Sequence, residues 1–366
     1  MRLAVVVEQL LAPVPGGTGR VSAQLTVALA AQAPGDVMPW VAAHRHLSAA
    51  RLPGLPAPRR LALPPRVLAE AWRRGIGPAP RGADAVLAVT ALVPPRRRAP
   101  LLALVHDTVA WTHPETLTAR GAAWHRTMGE RAAREAAAVL TPTRAVAEQL
   151  LRLLPWLRAD RVHVIGAGPT AAVTALPPDA DRRATRLGLP SAYLLTLATL
   201  EPRKGLDTAI AALADRAAPD LPLLVAGQPG WGGVDPLELA ARAGLHPGRV
   251  RLLGRLPDAD LAVVLARACA LLVPSRAEGF GLPVVEAMAA GTPVVTSDDP
   301  ALVEVGGGAA LVVPIGDPAA LAVAAAGASD PGRRAALADA GRARAAEHTW
   351  AGAARATWAA VEAVLG

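Results

Sequence analysis

Among its 366 residues the chain has one cysteine, one lysine, one phenylalanine and one tyrosine. A lone Cys269 cannot close an internal disulfide, and its apolar surroundings predict a small buried side chain. Aromatic residues are too few to interleave with the basic ones, so nucleic acid is not an expected partner. The only lysine, Lys204, sits in RKG rather than GKS or GKT, which excludes a P-loop. No apolar run approaches the roughly 18–20 residues needed to span a bilayer. Met1–Val7 is too short for a secretory leader, and Glu8 interrupts it. A cytoplasmic protein is expected, either soluble or peripheral at the inner face of the plasma membrane. No HExxH motif or cysteine–histidine cluster is present, and no metal site is expected. Asp258-x-Asp260 precedes a helical stretch, where capping and solvation account for both carboxylates.

What remains is rich in alanine, arginine, glycine and proline. A hydrophobic content of 52% with 19% charged residues excludes disorder, and the length suits two domains. The net charge of +8 conceals an asymmetry. Residues 1–165 carry 21 arginines against 10 acidic residues, a net of +11, whereas residues 166–366 carry 17 basic against 20 acidic, a net of −3. A basic first half suits an anionic partner, such as a lipid-phosphate acceptor or an anionic membrane surface. Arginines on ordinary solvated faces would explain it equally well.

Short β-rich runs alternate with alanine-rich helical stretches throughout. Strands are expected at Leu3–Val7 and at 86–90, 101–105 and 162–165. A second series follows at 193–198, 222–226, 250–253, 270–273 and 293–296. A helix is expected from about Val21, after a turn-rich segment containing Gly16 and Gly17. The tract 51–66 reads as a loop or short helix. This alternation predicts an α/β protein with two Rossmann-like parallel sheets, 1–175 and 176–348, and ligands at the carboxyl ends of the strands.

The stretch 275–298, SRAEGFGLPVVEAMAAGTPVVTSD, carries the most chemistry. Glu278 and Glu286 stand eight positions apart around a glycine-rich turn and a helix start. Gly279 and Gly281 allow close backbone approach, Pro283 suits a first helical turn, and Gly291 suits its end. A glycine loop feeding a helix N-terminus favours a phosphate-bearing ligand, and carboxylates beside it can accept bonds from sugar hydroxyls. Those properties together suit a nucleotide-sugar pocket. A charge complementing the helix dipole is the structural alternative for Glu286. Gly16 and Gly17 lie in a turn that runs on as GTGRVS (17–22), where Ser22 stands in place of the third glycine of a dinucleotide fingerprint; a dehydrogenase is discounted.

The 275–298 segment resembles the Glu-x7-Glu signature of retaining glycosyltransferases with the GT-B fold, in particular the family-four group. The likeness extends to TLEPRKGLDTAIAAL (199–213), LLVAGQPGW (223–231), VRLLGRLPDADLA (250–262) and HTWAGAA (348–354). Weaker landmarks are PGGTGR (15–20), LVHDTVAWTHPE (104–115) and VLTPTRAVAEQL (139–150). The resemblance implies two domains facing each other across a cleft, with residues 349–366 returning as a helix to the first. It also implies a metal-independent, retaining hexosyl transfer from a nucleoside-diphosphate sugar, with no cofactor.

Carried over residue by residue, Arg203 and Lys204 would neutralise the diphosphate and Glu286 would hold the ribose. Glu278 would orient the sugar, with Gly279, Phe280, Gly281 and Leu282 around it. Gly16 and Gly17 would face the diphosphate and acceptor. His106 would face the donor sugar, although a histidine at a strand end is commonly structural. Asp107 would orient His106 or cap the next segment. The HD and HPE pattern resembles mannosyltransferases of polysaccharide or glycolipid assembly, favouring GDP-mannose; UDP-, dTDP- and ADP-sugars are the other donors. The acceptor would be a saccharide, a lipid-linked sugar or a small molecule. The chain departs from the family at Ala167, Ala198 and Gly205, where asparagine, glycine and asparagine are frequent. A non-catalytic nucleotide-sugar binder and a GT-B epimerase or phosphorylase are the rival readings.

Overall fold

A computed structural model describes residues 1–366 and divides them into two compact units. The first comprises Met1–Pro114, Thr118–Ala167 and Thr349–Gly366; the second comprises Glu115–Leu117 and Gly168–His348. The chain therefore leaves the first unit at Ala167 rather than near residue 175. The short helix Ala171–Thr174 already packs against the helix Asp258–Arg267 of the second unit.

In the first unit the strands are β1 (Arg2–Val6), β2 (Asp36–Val41), β3 (Arg59–Arg60), β4 (Ala85–Ala88), β5 (Leu101–Leu104), β6 (Ala138–Thr141) and β7 (Val162–Val164). They form one parallel sheet in the order β3-β2-β1-β4-β5-β6-β7. Strands such as AVLA and LLAL are buried along their whole length, as expected of a sheet covered on both faces. Two apolar layers flank it. One contains Leu3, Leu25 and Leu29 together with Trp358 and Val361 of the C-terminal helix Trp350–Leu365. The indole Nε1 of Trp358 donates to the Leu29 carbonyl at 3.1 Å, which satisfies the one polar atom of a buried ring.

The second unit has β8 (Leu194–Leu197), β9 (Leu223–Ala226), β10 (Val250–Gly254), β11 (Ala270–Val273), β12 (Val294–Ser297) and β13 (Leu311–Val313). Its order, β10-β9-β8-β11-β12-β13, is again wholly parallel. Both sheets have the Rossmann arrangement, reversing direction between β1 and β4 and between β8 and β11. Crevices at such reversals, outside the strand carboxyl ends, are where open α/β sheets bind ligands. No helix is long and apolar enough to cross a membrane.

One local expectation is corrected. The first long helix begins at Gly16, not near Val21, so Gly16 and Gly17 form its first turn instead of the preceding loop. Pro15 already has helical dihedrals, and its carbonyl accepts from the Gly19 amide at 2.8 Å, which starts the helix early.

Candidate functional site

Three segments of the second unit converge at the carboxyl ends of β8, β11 and β12. After β8 the chain makes a 3-10 turn, Pro202–Lys204, and then Gly205 with φ +64°. A Cβ at Gly205 would lie 1.9 Å from the Pro274 carbonyl oxygen, so this backbone meets the β11 loop at a distance only glycine allows. After β11, residues 274–281 form a loop that ends in the helix Leu282–Ala290, entered through Gly281 at φ +84°. After β12, Asp299 caps the helix Pro300–Gly306.

The converging side chains form one charged cluster. Glu278 is nearly buried; it accepts from Lys204 Nζ at 2.6 Å, Arg203 Nη1 at 3.0 Å and Ser275 Oγ at 2.9 Å. Arg203 also donates to the Ala277 carbonyl and to Glu201, both at 2.8 Å. Burial alone would raise the Glu278 carboxyl, but the charges of Lys204 and Arg203 and the donated bonds outweigh it and hold the group at about 2. Arg276 ties the same loops from outside, donating to the Pro202 carbonyl at 2.6 Å and to both oxygens of Asp207. Two cations and two carboxylates, Glu201 and Glu278, thus share one site, in which Arg203 and Lys204 each hold an ion pair.

Glu286 lies on the helix Leu282–Ala290 and is 3% exposed. It stands in the second turn, and the first turn contains no acid, so complementing the helix dipole does not explain it. Phe280 and Leu282 are buried beside it in sequence, and the Phe280 ring meets His348 edge-on with centroids 5.5 Å apart. That contact places the landmark histidine of HTW against the glycine loop.

In the first unit, His106 follows β5, and its Nε2 donates to the Val89 carbonyl at the end of β4, 2.8 Å away. Burial lowers its pKa against the opposing effects of that carbonyl and of Asp107, favouring the neutral ring. A carbonyl can only accept, so Nε2 carries the proton and Nδ1 is the basic nitrogen. Asp107 accepts from the Val109 amide at 3.1 Å, taking the capping option. Asp260, the second acid of Asp258-x-Asp260, is buried and accepts from Arg183 and Arg186, each at 2.6 Å.

Ser275, Glu201 and Asp299 are contributors that sequence reasoning missed. Asp299-Pro300 carries a readable helix-start signal, an acid before proline, but nothing local shows that it also reaches the Glu278 loop. Ser275 and Glu201 have no local signature.

Residues 179–344 match the family model of glycosyl transferases group 1. The O-antigen chain mannosyltransferase B of Escherichia coli is 42% identical over 123 residues, 33% of this chain and 32% of that protein. The D-inositol 3-phosphate glycosyltransferase 1 of Catenulispora acidiphila is 34% identical over 254 residues, 64% of this chain and 60% of that protein. The chain thus aligns with less than two thirds of either relative. Among solved structures, Anabaena HepE in complex with UDP and glucose superposes with a TM-score of 0.75 at 18% identity, over 99% of this chain and 100% of that one.

Proposed function

We propose that the protein transfers a hexose from a nucleoside-diphosphate sugar, a reading supported by the match of residues 179–344 to glycosyl transferases group 1 and by the fold likeness to HepE. The observation that carries this reading is the Arg203–Lys204–Glu278 cluster at the strand ends where the second sheet reverses, followed by the buried Glu286. Arg203 offers a planar fork and Lys204 a compact charge, and together they would stabilise the charge developing on a leaving diphosphate. This would leave the transfer independent of a metal. Glu286 would accept from ribose hydroxyls and Glu278 from the sugar. The reaction would retain anomeric configuration through same-face attack, with the leaving phosphate taking the acceptor proton.

Mannose from GDP-mannose is the favoured donor, supported by the mannosyltransferase relative of Escherichia coli. UDP-, dTDP- and ADP-sugars are the alternatives, of which the HepE complex favours UDP. The acceptor would be a saccharide or a lipid-linked sugar. A cytoplasmic protein touching an anionic membrane fits the first unit, where Arg66, Arg120, Trp124 and the ion pair Arg73–Glu70 line a groove of about 950 Å³.

The test is turnover of the four nucleotide sugars in EDTA, with Glu286→Ala as comparison. Hydrogen bonds to charged groups contribute about 1.5–3 kcal/mol, so the variant should lose roughly ten- to a hundred-fold in donor kcat/KM. Unchanged kinetics in Glu286→Ala would remove the ribose assignment, and no turnover with any donor would remove the enzymatic one.

A further inference from the structure

We propose that Asp299 is a positioning residue for Glu278. The inference rests on the donor-site reading above, in which Glu278 faces the sugar. Asp299 is 4% exposed and follows the end of β12. Its Oδ1 accepts from the amides of Ala301 and Leu302, at 3.0 and 3.1 Å, and so caps the helix Pro300–Gly306. Its Oδ2 points elsewhere and accepts from the Glu278 amide at 3.3 Å, a residue 21 positions earlier in the chain.

A cap needs one oxygen. Serine and asparagine cap as well as aspartate does, and neither carries charge. Here the acid's own burial opposes its ionisation, and the charge of a second carboxylate, Glu278, adds to that opposition. A residue serving only the helix would do better as serine. The second oxygen is what aspartate adds, and its partner is the backbone of the glutamate that Arg203 and Lys204 grip from the other side.

The same strand end holds the loop at two more points. Ser297 Oγ donates to the Ser275 carbonyl at 2.5 Å, and Ser275 Oγ donates in turn to Glu278 Oε1. Leu302, in the turn that Asp299 caps, packs against Gly281 so closely that a Cβ there would lie 2.5 Å from its Cδ2. Asp299 therefore fixes both the backbone of Glu278 and the helix turn that bounds the glycine loop.

The experiment uses the full chain with Asp299→Ser and Asp299→Asn, which keep a capping oxygen and lose the second acceptor. Three quantities are read: melting temperature, the Kd of the nucleoside diphosphate without sugar, and kcat with the whole donor. Both variants should melt within about 2 °C of the parent. Diphosphate Kd should stay within about twofold, while kcat falls roughly tenfold because only the sugar-facing carboxylate is displaced. Unchanged kcat in both variants, with Glu278→Gln inactive, would overturn the positioning role and leave the donor site standing. A fall in melting temperature matched by weaker diphosphate binding would reduce Asp299 to a cap. Full turnover in Glu278→Gln would instead overturn the donor-site reading, and the positioning role with it.

Discussion

Lys204 Nζ lies 2.6 Å from Glu278 Oε1, joining two loops 74 residues apart in the chain. The bond spans the gap between the ends of β8 and β11, where the second sheet reverses its winding. A single amine therefore ties the two loops together and, under the proposed donor reading, would also supply positive charge to a leaving diphosphate.

Removing that amine should separate the two. In Lys204→Met, Arg203 and Ser275 still hold Glu278, so the fold should persist. Loss of one preorganised electrostatic group at a reacting centre costs about 10²–10³-fold in kcat, and a loss in that range is expected. Steady-state kinetics with the working donor check it; a variant within a few-fold of the parent would leave Lys204 a structural tether.

Asp299 and Glu278 should respond to acid in opposite senses. Burial pushes the Asp299 carboxyl up to about 6, with the Leu302 amide resisting and the Glu278 charge adding to the rise. Between its unfolded value near 3.9 and about 6, the native state holds more protons than the unfolded chain. Stability from this group is thus greatest at low pH and is lost as pH rises through that window. Glu278, held at about 2 by Lys204 and Arg203 against burial, contributes stability above about 4.5 that is lost as pH falls below it. Asp299→Asn removes the first effect. Its stability relative to the parent should be about 2 kcal/mol more favourable at pH 7 than at pH 4, read from urea midpoints. An equal difference at both pH values would contradict the burial argument.

Gly205→Ala should be poorly tolerated. The backbone is left-handed there, and the new methyl would meet the Pro274 carbonyl at 1.9 Å. Strain and overpacking together should cost about 2–4 kcal/mol. Donor binding should weaken as well, since Lys204 is the preceding residue. Urea unfolding and a Kd for the nucleoside diphosphate report the two effects; a stability change within error would mean that the loop simply moves aside.

The groove on the first unit makes a separate prediction. Arg66 and Arg120 are exposed and lie in the first turns of the helices Pro65–Arg73 and Ala119–Glu135, where the helix dipoles disfavour positive charge. Near an anionic bilayer each arginine contributes about 1 kcal/mol. Replacing both with alanine should lower partition into phosphatidylserine-containing vesicles by about tenfold or more, and salt should do the same to the parent. Equal binding to neutral phosphatidylcholine vesicles would remove the preference for an anionic surface.

Sequence alone showed the strands whose apolar runs are buried on both faces, such as LLVA and ALLV, because burial of that kind leaves a continuous pattern. It missed β2, whose centre holds Pro39. That proline is tolerated because β3 pairs only with Trp40 and Val41, leaving Pro39 facing a free edge. It missed β3, which has just Arg59 and Arg60, and β13, three residues wedged between a glycine run and Pro314. At the site, the glycine loop and both glutamates were legible because they share one segment. The second oxygen of Asp299 was not, since its target is fixed only once β11 and β12 lie side by side.

The first unit is built from three pieces of chain, and the last of them is the final helix. During synthesis, that unit's sheet emerges early, but the layer over Leu25 and Leu29 lacks Trp358 and Val361 until the helix Trp350–Leu365 is made. At about 5–20 residues per second, the interval between Ala167 and Thr349 is on the order of ten to forty seconds. Throughout it the second unit can complete its own core, while the first waits with an apolar face open to solvent. Of the two units, the one whose residues are made first is the one whose core closes later.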